Sequence, residues 1–510
     1  MTIPRSRVWW IFAPLNLLLV GFVLFFAGLR IARPQTVFYY TEGPVLGSLA
    51  ALESGDLSDL YPADDWFEPP VVLTLYPPTY FLGAAALDRW LGSEGTFTGL
   101  RIVSAVALLG LLALLAMHTL GRRAPPAWTL ALAAALLMTP GVYRLAGGAQ
   151  ADVLALLLTW AGITAALGTK GVGVRTRALP LLLAAVAFFF AFFSKQSFVA
   201  APAALTLVLL REKQIRVGLI FSVGLASAAL FAVFLLDAVT SGGYLANTLG
   251  ALTGASGWSN LVSSLWASRP LQWLPVVVAV FLAARGHLRL GFPEIYLIVS
   301  TCLHTAAMLK TGSSSNYLLE PTFALLLLTV TRGYLLPASE APSTRVAGYD
   351  GSVWIRWVVP ALLAVTFAVT ATVALLEEAR STRAWMARAG QTSVAEFAGY
   401  PLVDAVFFPA VLARGGRPWI NDPFAFGALE ETGQWDPSRL VADLESKSIP
   451  FALTMVNVGT EPAPPGAGTQ ELLFAYFWRS DRVWTALTGS YEKSRSGPLT
   501  LFLPRKEPEP

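Results

Sequence analysis

Residues 216–238 read RVGLIFSVGLASAALFAVFLLDA, with one charge near each end and none between. A helix needs about 20 mainly apolar residues to cross a bilayer core of roughly 30 Å. This stretch meets that requirement, and others do so on both sides of it. Candidate spans fall near 8–29, 101–120, 126–145, 151–168, 178–193, 197–211, 270–284, 292–309, 317–331 and 354–376. Several are short. Together with 216–238 they predict a polytopic α-helical membrane protein with about eleven transmembrane helices. The 510-residue chain is 55% hydrophobic and 13% charged, with a mean hydropathy of +0.59. A soluble domain carries about 25% charged residues, so the composition agrees with the spans.

Other classes find little support. A net charge of +4 without a dense basic tract does not suggest nucleic acid. Cys302 is the single cysteine, which excludes an intrachain disulfide and a CxxC metal site. His118, His287 and His304 are far apart, and none sits in an HExxH pattern. Arg5 and Arg7 precede the first span as in a signal peptide. Its apolar run is long and no small-x-small site follows, so it is read as an anchor.

Loop charges give a direction. Arg5 and Arg7, Arg122 and Arg123, Lys170, Arg175 and Arg177, Arg211, Lys213 and Arg216, Arg285 and Arg289, and Arg332 and Arg345 fall in one set of loops. The positive-inside rule puts that set in the cytoplasm. The N-terminus is then inside and the C-terminus outside, in the inner or plasma membrane. Residues 30–100, 146–150, 194–196, 239–269, 310–316 and the tail from 377 share the outer face.

The outer segments hold the candidate chemistry. Loop 30–100 is long enough to suggest function. It carries Glu42, an amphipathic stretch 45–53, Asp64, Asp65 and Tyr76. Residues 79–91 are read as a helix in the interface, with Tyr80, Phe81 and Trp90 at headgroup depth. Glu42, just after the first span, is placed to act as a general base on a hydroxyl, or else is a solvated loop acid. Asp64 and Asp65 are paired acids that also suit a turn. Gln150 and Asp152 open the fourth span; an acid there complements the helix dipole, and near membrane depth it also marks function. Lys195 and Gln196 lie in the turn Ser194-Lys195-Gln196-Ser197. A lysine on the outer side opposes the charge bias; it either snorkels or holds a phosphate as a point charge. Lys310, before the hydroxyl-rich run to Asn316 and Tyr317, repeats that pattern. Trp258 and Trp266 in loop 239–269 suit sugar stacking or an interface belt.

Glu42 after the first span, then YPPTY (76–80), RIVS (101–104), QAD (150–152), SKQS (194–197) and NYLLEP (316–321) occur in an order that resembles a known family. It is that of the membrane-embedded glycosyltransferases of the GT-C class, in the branch of the protein O-mannosyltransferases and the lipid A aminoarabinose transferase. The resemblance covers roughly residues 8–335. It implies an inverting transfer of a sugar from a polyprenyl-phosphate donor to a glycan, lipid or protein acceptor of the cell envelope. It further implies Glu42 as the base, Asp152 as a group that assists or positions the acceptor, and Lys195 and Lys310 on the donor phosphate. Many relatives have Asp where this chain has Thr41-Glu42, which leaves the base open to Asp64 or Asp65. No cofactor is expected. Some relatives use a divalent metal, but no His cluster on this face would bind one.

After residue 376 charges, Gly and Pro rise. Residues 440–446 suggest a helix, and 451–456, 472–478 and 499–503 suggest strands. The expected organisation is a transmembrane unit, 1–376, and a small soluble α/β extracytoplasmic domain, 377–510. Gly415-Gly416-Arg417-Pro418 is read as a turn rather than an anion loop. The competing function is a transporter or flippase of polyprenyl-linked glycans. That class should show repeated broken helices and midplane charges, and neither is evident.

Overall fold

The computed structural model describes residues 5–34, 42–63, 66, 68–121, 126–138, 142, 147–168, 178–250, 274–284, 290–309, 315–332, 401–403, 408–412, 415–422, 425–426, 429–430, 433–454, 480–495 and 500–506. Asp64, Asp65, Lys310, Trp258, Trp266 and the expected spans or strands at 354–376 and 472–478 lie outside the described residues.

A bundle of helices follows the apolar runs. These are α1 (Arg5–Ile31), α5 (Thr98–Gly121), α6 (Pro126–Met138), α7 (Asp152–Leu167), α8 (Ala178–Ser194), α9 (Ala200–Arg211), α10 (Ile215–Val239), α12 (Leu274–Ala284), α13 (Phe292–Ala307) and α14 (Leu319–Arg332). Each expected span within the described residues is therefore helical. Two of them, α5 and α10, are long and apolar enough to cross a membrane; α7, α8 and α9 are shorter apolar helices. In α10 only Gly218 and Phe221 are buried, while Leu219, Ile220, Val223, Phe231 and Phe234 are exposed. An apolar face of that extent is far beyond what a soluble monomer shows to water.

The bundle core is Leu-, Ala- and Phe-rich, with Trp160 against Phe323 and Phe188 against Phe221. Small residues set the close approaches, as membrane packing favours. Gly147 has φ +67°, and a Cβ there would lie 2.7 Å from the Ala27 backbone of α1.

Short helices cap one end of the bundle: α2 (Glu42–Ser54), α3 (Leu57–Leu60), α4 (Thr79–Leu91) and α11 (Gly243–Thr248). Two expectations are corrected here. Helix α2 is not amphipathic, since Val45, Leu46, Ser48, Leu49, Ala51 and Leu52 are all buried. It is sandwiched, with Leu46, Leu49, Tyr80, Phe81 and Leu100 in one core cluster and Asn421 pressed onto Gly47. Helix α4 exists as expected, but Tyr80 and Phe81 are buried in protein, where Tyr80 Oη donates to the Leu100 carbonyl (2.8 Å). Trp90 alone of those three aromatics is exposed, at 79%.

The C-terminal residues form a four-stranded mixed sheet in the order β1 (Leu402–Val403), β2 (Ala452–Thr454), β4 (Thr500–Pro504), β3 (Tyr491–Arg495). Among the described residues three helices accompany it: α15 (Phe408–Leu412), α16 (Ser438–Glu445) and α17 (Asp481–Ser490), with Ser480 capping α17 by accepting the Val483 N–H. The core under the sheet includes Trp419, Phe426, Leu440 and Leu487, and it also takes Val71 and Leu73 from the first long loop. Val71 pairs with Ile420 as an isolated parallel bridge, and the Asn421 side chain accepts the Leu73 N–H at 2.8 Å. The C-terminal unit is thus built onto the capped end of the bundle through Trp66 and residues 71–75.

Candidate active site

Two buried charges meet where α7 begins and α8 ends. Asp152 is the first residue of α7, and Ala151 before it offers no side-chain cap. Lys195 directly follows α8. Lys195 Nζ lies 2.5 Å from Asp152 Oδ1, with side-chain exposures of 7% and 1%. Taking such a pair out of water costs several kcal/mol per ion before their attraction is counted. Two aromatic faces flank the ammonium, Tyr76 at 5.5 Å and Tyr317 at 5.7 Å. The cation–π geometry is within the useful limit of about 6 Å.

The second oxygen of the acid, Asp152 Oδ2, is buried and receives no hydrogen bond among the described residues. A buried acceptor left unpaired costs roughly 1–3 kcal/mol. Gln196 presents a similar group: its Nε2 donates to the Leu75 carbonyl (3.0 Å), and its Oε1 has no partner among the described residues. Tyr76 is fixed by its backbone, whose carbonyl accepts the Tyr61 hydroxyl at 2.7 Å. Burial pushes the Tyr76 phenol up to about 12, against the pull of Lys195, so it stays a neutral donor near pH 7.

The expected residues divide clearly. Asp152, Lys195, Gln196, Tyr76 and Tyr317 surround one locus. Gln150 is buried beside it in the turn before α7, where its carbonyl accepts the Ser104 hydroxyl (3.2 Å). Asn316 lies in the 3-10 turn Ser315–Leu318 that carries Tyr317. Glu42 is engaged elsewhere. It is fully buried, 3.1 Å from Arg101 Nη2, and its other oxygen accepts the Ala149 N–H at 3.0 Å. Among the described residues no group of three or more His, Cys, Asp or Glu is arranged to hold a metal ion.

Sequence reasoning missed a second buried cluster at the same end of the bundle. Glu320, in the first turn of α14, accepts the Tyr296 hydroxyl at 3.0 Å, and His304 Nε2 lies 3.3 Å from its other oxygen. The His304 ring approaches Tyr317 at 6.3 Å. The signal was in the sequence: Glu320 is the acid of NYLLEP, and His304 is a polar residue inside an apolar run.

No family model and no curated protein matches the chain. The crystal structure of ArnT from Cupriavidus metallidurans in the apo state superposes with a TM-score of 0.53. The alignment covers 98% of this chain and 98% of that one, at 14% identity. The chain has the fold of ArnT. The match with ArnT extends through the C-terminal sheet as well as the bundle, so both parts belong to one architecture. At this identity the likeness to ArnT concerns the fold; the roles of individual residues rest on the geometry above.

Proposed function

We propose that the protein is an inverting glycosyltransferase of the membrane, moving a sugar from a polyprenyl-phosphate donor to a hydroxyl of a glycan, lipid or protein on the extracytoplasmic side. The observation that carries this reading is the buried Asp152–Lys195 pair, whose Oδ2 has no partner among the described residues, set in an ArnT-like fold. The motif order that resembles the GT-C class points the same way.

Each group has a chemical task in this reaction. The acceptor oxygen forms a bond to the anomeric carbon while the bond from that carbon to the phosphate oxygen breaks. The electron pair leaves with the phosphate, and Lys195 neutralises its charge in a water-poor site where such a charge counts most. Asp152 Oδ2 takes the acceptor hydroxyl proton. Tyr76 and Gln196 orient the reactants, and Tyr317 shields the lysine. Because phosphate is already a good leaving group, positioning and charge neutralisation supply most of the acceleration. Assigning the proton to Asp152 departs from the role that the resemblance implies for Glu42.

The test uses the full-length protein with a panel of labelled polyprenyl-phosphate sugars. Asp152→Asn should lower kcat by about 10²–10⁴, the usual worth of a general base, and Lys195→Met should abolish donor-dependent transfer. Undiminished transfer by folded Asp152→Asn removes Asp152 as base. Movement of the lipid across vesicles without sugar transfer would replace the enzyme reading with the transporter.

A further inference from the structure

The Glu42–Arg101 pair stands at a junction. Arg101 Nη1 donates to the carbonyls of Arg30 (2.9 Å) and Arg33 (2.8 Å), its Nη2 meets Glu42, and its guanidinium lies 4.4 Å from the Phe97 ring centre. The end of α1, the start of α2 and the start of α5 are thereby joined. Through Oε1, Glu42 also holds the N–H of Ala149. Ser104 holds the next residue by the Gln150 carbonyl, and Gly147 sits directly on α1. Residues 147–151 are therefore clamped from several sides, and Asp152 is the residue they deliver.

A general base must lie within about 2.6–3.2 Å of the group whose proton it takes. Both oxygens of Glu42 are already within that range of protein donors, and the residue has no exposed surface. We propose that Glu42 is a positioning residue: with Arg101 it fixes the turn 147–151, and through it the carboxylate of Asp152, and it takes no proton from the acceptor. The inference rests on Asp152 being the base.

Arg101→Lys tests it, since lysine keeps a cation for Glu42 but cannot bridge all three partners. In purified full-length protein, kcat should fall by about 10–100-fold, as misplacement of a reacting group by roughly 1 Å does. The donor KM should stay within about threefold, because Lys195 is untouched, and the limb of the pH–rate profile should not move. A shift of that limb would make Glu42 the base and overturn the proposal. A lower Tm with unchanged kcat would reduce the pair to a structural role and overturn it too. The second variant is Glu42→Gln/Arg101→Gln, which removes both charges. It should be more stable than Glu42→Gln alone and retain measurable transfer. A folded double variant with no transfer, or no folded protein from either variant, refutes the positioning role. If the wild type itself transfers no sugar, the function proposed above fails instead, while the stability coupling between positions 42 and 101 remains readable.

Discussion

At the residue scale, the Asp152–Lys195 pair sets stability against activity. Removing one partner of a buried ion pair leaves the other charge uncompensated, at a cost of about 3–5 kcal/mol. Lys195→Met and Asp152→Asn should each lower Tm in detergent. The double variant should recover most of that loss, since replacing both charges is often near neutral, and it should recover no transfer. A loss in the double variant equal to the sum of the two single losses would mean that the pair is not coupled. Asp152 and Lys195 were legible in the sequence because each breaks a local rule, an acid at membrane depth and a lysine on the side poor in Lys and Arg. Glu42 was visible, but its role was not. Its partner Arg101 is 59 residues away, and an ion pair across that distance leaves no trace in local pattern.

At the element scale, helices α2 and α4 are tied by two acids. Glu53 Oε2 accepts the Gly95 N–H at 2.8 Å, and Asp88 takes the Gly99 N–H at 2.8 Å and the Ser93 hydroxyl. Burial, with Asp88 and Glu94 adding to it, pushes the Glu53 carboxyl from its ordinary 4.5 up to about 7; the Gly95 N–H pulls the other way. The folded state therefore keeps a proton that the unfolded chain releases. This contribution to stability is complete below pH 4.5 and is lost as pH rises through about 7. Asp88 is raised as well, also by burial, and acts in the same direction. Tm should decline between pH 5 and pH 8, and Glu53→Gln should flatten that decline; an unchanged slope would exclude Glu53 as its source. The existence of α2 and α4 was legible from their apolar content. Their burial was not, because the surfaces covering them come in part from α8, residues 408–412 and Asn421, which are remote in sequence. A helix enclosed on both sides needs no polar face, so the amphipathic reading of 45–53 had no physical basis once the C-terminal unit was in place.

At the scale of the whole molecule, the hydrophobic runs gave the bundle, and the loop charges predict a direction for it. The exposed apolar face of α10 suits a lipid surrounding, and its ends can report orientation. In a Cys302→Ser background, an impermeant maleimide should label Ser241→Cys in intact cells and leave Lys213→Cys unlabelled until the membrane is broken. The reverse pattern would invert the molecule and put the candidate site on the cytoplasmic face. The tail was legible as α/β, with β2 and β4 close to the expected strands. Strand β3 and helix α17 were not foreseen, since a polar edge strand such as Tyr491–Arg495 has little alternation to detect.

The contact between Leu73 and Asn421 joins residues 348 positions apart. A ribosome adding about 5–20 residues per second needs roughly 20–70 s to make the chain between them. For that interval residues 71–75, which carry the approach to Tyr76, have emerged without the strand and asparagine that will hold them. The end of the bundle that carries the candidate site is consequently the last to be finished during synthesis. A nascent chain halted before residue 400 would already have the bundle helices and yet lack the groups that hold residues 71–75.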